Sequence, residues 1–218
     1  MLKANSVFNN MYTVQSEIGS GHSADVYRIE CNQTKKLYAL KVIKNKFLES
    51  DPNGMKQIHD EIEIQKKLDH KNMVKLHDSG FNGYTNLGQS RLVYMIMEYL
   101  PNHEMFDFVK TCGKMGEDTG RFFLRQFVDA LQYMHEEQGV VHIDLKLENI
   151  LIQEDFTIKI ADFGFATRKN INKLNLYRGT KTYMAPEIKR GEYYKGKEVD
   201  IFSIGVIVFI LVVGLFPF

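Results

Sequence analysis

The stretch His142-Ile143-Asp144-Leu145-Lys146-Leu147-Glu148-Asn149, followed by Asp162-Phe163-Gly164, decides the reading of this chain. It sets an Asp, a Lys, an Asn and a second Asp in one order. Phosphoryl transfer from a magnesium nucleotide needs that set. One carboxylate orients the attacking hydroxyl, and a lysine offsets charge on the moving phosphoryl group. An amide and a second carboxylate hold metal.

Working toward the N-terminus, Ala39-Leu40-Lys41-Val42-Ile43 puts a lysine in an otherwise apolar strand, which is costly unless the charge is paired. Glu61 lies on a helical face with Gln65 and Leu68 and is the natural partner; Glu63 points to another face. A lysine snorkelling to the surface is the plainer alternative. Further upstream, Gly19-Ser20-Gly21-His22-Ser23-Ala24-Asp25-Val26 is a glycine turn between two strands, where backbone N–H groups can approach phosphate. Most such hairpins are only turns. A strand rather than a helix follows, so this is no dinucleotide fingerprint, and the Walker lysine is absent.

Together these stretches resemble eukaryotic protein kinases of the serine/threonine type. Two further ones agree: Arg178-Gly179-Thr180-Lys181-Thr182-Tyr183-Met184-Ala185-Pro186-Glu187 and Val199-Asp200-Ile201-Phe202-Ser203-Ile204-Gly205-Val206. The resemblance runs from Tyr12 to Phe218. Asp162-Phe163-Gly164-Phe165-Ala166 and Glu104-Met105-Phe106 look most like the calcium/calmodulin-dependent and AMP-activated kinase group.

The resemblance implies ATP and Mg2+ as cofactors and a role for each matching residue. Asp144 would orient the substrate hydroxyl, and Lys146 would sit on the γ-phosphoryl group. Asn149 and Asp162 would hold metal. Lys41, paired with Glu61, would hold the α- and β-phosphates. Ile18, Gly19, Ser20, Gly21, His22, Ser23, Ala24 and Val26 would form the phosphate loop and its flanks. Val26, Ala39, Met97, Glu98, Tyr99, Leu100 and Leu151 would surround the adenine, although core packing is the ordinary explanation for such apolar residues. Glu104 would meet ribose or a basic residue of the substrate. Glu148 and Thr180 would belong to the substrate loop, with Thr180 near Asp144 and Lys146. His142 suggests a base, but by resemblance it packs on Phe163. Asp200 would tie to the backbone of the catalytic loop.

Strands are expected at residues 12–19, 24–31, 37–44, 74–78 and 92–98, with a polar loop over 80–91. Helices are expected at 55–68, 106–110 and 118–138, with Gly139 ending the last. Short strand-like pieces fall within 140–160. Strands first and helices later, without βαβ alternation, indicate an α+β, bilobal kinase-like fold. Residues 1–11 read as an extension, 12–100 as the smaller lobe and 101–218 as a helical lobe incomplete at its end. The hinge falls at 98–102. Residues 201–218 carry no charge, which suggests either a membrane span or a buried helix. The match around Asp200 favours the buried helix. A partner over that helix, or a chain cut short, would account for its missing cover.

The chain has 218 residues, 44% of them apolar and 25% charged, as in a soluble globular protein. A net charge of +1 gives no steering toward nucleic acid or an anionic membrane. Cys31 and Cys112 lack metal-ligand spacing and read as reduced thiols of a cytoplasmic, or nuclear, protein. Asn32-Gln33-Thr34 matches a glycosylation acceptor with no signal peptide before it, and is taken as coincidence.

Several positions depart from the kinase pattern. Ala24 replaces a glycine. Ile143 replaces the arginine that pairs with a phosphorylated loop, and residues 168–178 hold no Ser or Thr, only Tyr177. Gln65 replaces an apolar residue, which predicts a buried amide without partners. Leu147 and Lys181 replace prolines, which should loosen their loops. The expected function is ATP-dependent phosphorylation of Ser/Thr in protein substrates for signal transduction, with a basic residue upstream of the target suggested by Glu104 and Glu148. The alternatives are a nucleotide-binding pseudokinase that acts as an interaction module, and a tail-anchored protein.

Overall fold

The computed structural model describes residues 2–101 and 104–217. Asn102, at the end of the expected hinge, and Phe218 lie outside the described residues. The chain forms two compact units. The first holds the residues up to Ile62 together with Lys75–Tyr99; the second holds Glu63–Val74 and everything from Leu100.

The first unit is built on a six-stranded antiparallel sheet in the order β1-β2-β3-β4-β6-β5. Its strands are β1 (Val7–Phe8), β2 (Tyr12–Ser20), β3 (Ala24–Cys31), β4 (Leu37–Ile43), β5 (Leu76–Gly83) and β6 (Leu92–Glu98). Alternation assigns each face its own core. Tyr27, Ile29, Leu40, Val42, Tyr94 and Ile96 pack on one side with Phe8. On the other, Ala24, Ile43 and Met95 pack against Phe47 of α1 (Asn45–Ser50) and against Ile58 and Ile62 of α2 (Gly54–Gln65).

Three features differ from the sequence expectation. Residues 1–11, read as an extension, contain β1, whose Phe8 is fully buried beside Tyr94 at a ring distance of 5.0 Å. The strand expected to stop at Asp78 continues to Gly83. Gly80 and Gly83 read as turn residues, but they lie under Tyr94, where a Cβ would approach the ring to 2.8 Å at either position. Helix α2 ends at Gln65 rather than at Leu68.

The second unit is mostly helical. It holds α3 (Met105–Cys112), α4 (Glu117–Gln132), α5 (Pro186–Lys189), α6 (Gly196–Val213) and a hairpin of β7 (Ile150–Ile152) with β8 (Ile158–Ile160). Its main core joins Phe123, Phe127 and Ala130 of α4 to Ile204, Ile207 and Leu211 of α6 and to Ile150 and Ile160 of the hairpin. The long helix expected to reach residue 138 stops at Gln132, and Tyr133–Glu137 form a wider π turn. Tyr133, Met134 and His135 of that turn are all buried. Gly139 still closes the element, with φ +60.

Helix α6 begins five residues before the uncharged run and ends where Gly214 takes a left-handed φ of +81. One side is buried, while Ile201 and Phe209 are exposed, which agrees with the expectation of a core helix lacking part of its cover. Among the described residues, no helix is long and apolar enough to cross a membrane.

Candidate active site

In the first unit the glycine turn is shaped by β2 and β3. The Gly21 N–H donates to the Ala24 carbonyl at 2.9 Å, and Gly19 pairs with Val26. Neither glycine is forced by packing. A Cβ on Gly19 or Gly21 would meet nothing closer than 3.9 or 3.7 Å, and neither has a positive φ. The absent side chains therefore leave the backbone of the loop open, as phosphate binding requires. Ala24 begins β3 and is buried in the α1/α2 core, so an alanine fits that position. Ser20, Gly21 and His22 are exposed, Ser23 is half-buried, and Ile18 is exposed before the turn.

A clamp not anticipated from sequence fixes this loop. The Lys44 ammonium donates to the Gly21 carbonyl at 2.7 Å and the Ser20 hydroxyl at 3.1 Å, and pairs with Asp25 at 2.9 Å. Ser20 also donates to Asp25 at 2.7 Å. Burial raises the Asp25 carboxyl, but the Ser20 and Lys44 contacts outweigh it and hold the group below its ordinary value. A lysine just after an apolar strand was the visible signal.

Lys41 reaches Glu61 of α2 at 2.7 Å, with side-chain exposures of 12% and 2%. The lysine is thus paired and does not snorkel. Register places Val26 opposite Lys41, Lys41 opposite Met95 and Ala39 opposite Met97. Val26, Ala39, Lys41 and Met97 therefore share one sheet face, continuing that of Ala24, Ile43 and Met95 beyond the cover of the helices. Val26, Ala39 and Met97 are half-buried, an apolar strip suited to a flat ring. Glu98 turns its carboxylate to the Lys75 N–H at 2.6 Å, while the Glu98 N–H donates to the Lys75 carbonyl. Tyr99 and Leu100 are half-buried on either side of the division between the units.

In the second unit the β7–β8 hairpin sets the spacing of the catalytic stretch. Ile150 pairs with Ile160, so Asn149 before β7 and Asp162 after β8 come together. The Ala161 N–H donates to the Asn149 carbonyl at 2.9 Å. Asn149 directs its amide nitrogen to the Asp144 carbonyl at 2.8 Å, so its amide oxygen is the atom that could hold a metal. Asp162 is exposed, with φ +57. The Asp144 carboxylate is the centre of the group. One of its oxygens accepts the N–H and the hydroxyl of Thr180, both at 2.8 Å. The Lys146 ammonium lies 3.2 Å from the other oxygen and 3.3 Å from the Thr180 hydroxyl.

Gly179 takes φ +104, and a Cβ there would meet the Ile143 carbonyl at 2.9 Å, so glycine permits this approach. On β7, Leu151 is half-buried beside its bridge to Glu104, which precedes α3.

His142 is held by the backbone. Its Nδ1 accepts the Asp144 N–H at 3.3 Å, which assigns the proton to Nε2, 3.1 Å from the Ala161 carbonyl. The ring lies 5.2 Å from that of Phe163. Both nitrogens are used, which agrees with packing and not with a base. Asp200 is fully buried and accepts the N–H groups of His142 and Ile143, both at 2.8 Å. His135 bonds the same carboxylate at 2.8 Å. Nothing in the sequence marked His135, because only the π turn brings it there.

Two expectations are corrected. The buried Gln65 amide is not without a partner, because its nitrogen donates to the Val74 carbonyl at 3.2 Å. Leu147 does not loosen its loop through the lost proline, because its side chain is buried in the main core.

The family described as the protein kinase domain matches residues 12–218. The chain belongs to the protein kinase family. Similar kinases include a probable serine/threonine-protein kinase, MARK-B, of Dictyostelium discoideum, 39% identical over 94% of this chain and 28% of its own length. Serine/threonine-protein kinase SIK2 of Gallus gallus and SIK1 of Mus musculus are each 34% identical over 95% of this chain and 25% of their own length. The chain thus spans about a quarter of the length of the curated relatives it matches.

Proposed function

We propose that this kinase chain transfers the γ-phosphoryl group of ATP to Ser or Thr hydroxyls of protein substrates. The observation that carries the reading is the Asp144 carboxylate, fixed by Thr180 and Lys146 with Asn149 beside it. That carboxylate orients the acceptor hydroxyl and takes its proton as the new oxygen–phosphorus bond forms and the bond from the γ-phosphorus to the bridging oxygen breaks, with ADP leaving. Lys146, two residues after Asp144, offsets charge on the transferred group. Lys41, fixed by Glu61, meets the α- and β-phosphates, with the open glycine turn over them. Val26, Ala39 and Met97 take the adenine.

Mg2+ would be held in the second unit by the Asn149 amide oxygen and the Asp162 carboxylate, residues that flank the paired β7–β8 hairpin. Two protein oxygens suit an ion that keeps water and phosphate as its other ligands. When bound, it would neutralise phosphate charge. Glu104 and Glu148 support a basic residue upstream of the acceptor. The Glu148 Oε2 is buried without a hydrogen-bond partner, and burial followed by the Glu148 carboxylate pushes the Tyr183 hydroxyl up.

The test is magnesium-dependent transfer of labelled γ-phosphate to Ser/Thr peptides, with the chain compared to Asp144→Asn. Transfer should fall at least about a hundredfold in the variant, the usual contribution of general acid–base catalysis. A folded, ATP-binding chain with no transfer above the variant would overturn the reading.

A further inference from the structure

The segment from Phe163 to Gly191 carries seven basic residues, from Arg168 to Arg190, against one acidic residue, Glu187. That excess of six stands in a chain whose net charge is only +1. A charge run is often just a solvated face. Here the cations nearby are neutralised: Arg190 pairs with Glu192 at 2.7 Å, Lys195 with Glu198 at 3.0 Å and Lys197 with Glu136 at 2.9 Å. Arg190 stands at the very end of the segment, and closer to Thr180 the compensation fails. Among the described residues, Arg168, Lys173, Arg178 and Lys181 have no carboxylate partner.

Their contacts hold the side chains without cancelling the charge. Lys173 lies 4.8 Å from the Tyr193 ring, and the Arg178 guanidinium 5.8 Å from the Phe165 ring. Arg168 Nε and Nη2 are buried with no hydrogen-bond partner, so that charge is uncancelled as well.

Placement gives the field a use. Thr180 touches the Asp144 carboxylate through its N–H and its hydroxyl. Lys181 follows it directly, Arg178 precedes it by two residues, and both are exposed. At about 3.8 Å between successive Cα atoms, both cations arise within roughly 8 Å of that contact. A hydroxyl offered to Asp144 brings its own chain neighbours beside them.

We propose that the chain selects acceptor Ser or Thr residues flanked, within about two positions, by an anionic side chain, with Arg178 and Lys181 as the specificity-determining contacts. This rests on the phosphoryl-transfer reading of Asp144, and adds to the basic residue expected upstream. The shared chemistry is the anion, supplied by a carboxylate or by a phosphomonoester.

The experiment compares three serine peptides of equal length. The flanking residues are glutamine, glutamate or phosphoserine. Binding is read by fluorescence anisotropy and turnover by kcat/KM. Two exposed ion pairs should favour the glutamate peptide over the glutamine peptide by roughly twofold to thirtyfold at low salt. The gap should close in Arg178→Gln/Lys181→Gln and shrink with added salt. A phosphoserine peptide that outdoes glutamate supports the phosphomonoester as the source, and parity supports the carboxylate. Equal binding of the glutamine and glutamate peptides, or a gap the double variant keeps, overturns the inference. An anion preference in binding without transfer to any peptide supports it while sinking the phosphoryl-transfer reading.

Discussion

Two residue pairs in the first unit lead to distinct measurements. Lys41 and Glu61 form a nearly buried ion pair, and breaking such a pair from one side is costly. Glu61→Ala should lower stability by about 3–5 kcal/mol in denaturant titration. Lys41→Met removes the phosphate contact itself, so the proposed transfer should disappear in the labelled-phosphate assay. The second pair is Asp25 with Lys44, which fixes the glycine turn. The Asp25 carboxyl is held below its ordinary value in the folded protein. Its stabilising contribution is therefore complete above the ordinary carboxylate range, near pH 4, and is lost as pH falls through the lowered value. Asp25→Asn should melt below the parent at pH 7, and the difference should shrink as pH falls below about 4. A constant difference across that range would count against the clamp.

At the scale of elements, the stretch leading to Thr180 is secured by apolar contacts. Ile143 is buried with Leu174, Met184 and Tyr194, and Leu174 and Tyr194 bridge through their backbones. Ile143 does this at φ +72, a conformation that strains a β-branched residue. Tyr177, the hydroxyl residue in 168–178, is 61% exposed. Phosphatase treatment should therefore leave the proposed activity unchanged, as read by kcat/KM before and after. Loss of activity that returns on rephosphorylation would sink this expectation.

The elements also show what could be read in advance. Strands β2, β3, β4 and β6 announced themselves by β-branched and aromatic residues between turn signals, and the Asp144-to-Asp162 constellation by its order. The chain hid what depends on distant partners. The glycines of β5 mimic a turn until Tyr94 is laid over them. Residues Tyr133–Glu137 look like ordinary helix, and only core packing and Asp200 select the π turn. Short β1 had too few residues to show a period.

Across the whole molecule, four separate apolar clusters hold the two units, so each has a core of its own. The outer surface of the second unit is less settled. Ile201 and Leu215 are 60% and 69% exposed, and Phe209, Val213 and Phe216 are exposed as well. Apolar residues gathered on one element favour self-association. Ile201→Glu with Leu215→Glu should shift the chain toward monomer in sedimentation velocity, with an unchanged circular dichroism spectrum. An unaltered sedimentation profile would show that these side chains are not the sticky ones.

The Asp200 carboxylate belongs to α6, yet it sets the backbone of a loop far away in sequence. That makes the phase of a helix a catalytic variable. Each residue turns a helix by about 100°. One amino acid inserted between Gly196 and Asp200 would swing the carboxylate a quarter-turn or more off its two N–H donors, with every active-site side chain still encoded. A substitution at Lys197 or Glu198 keeps that phase, whereas a single-codon insertion or deletion does not. Tolerance of the gene to length changes should therefore collapse over these few codons.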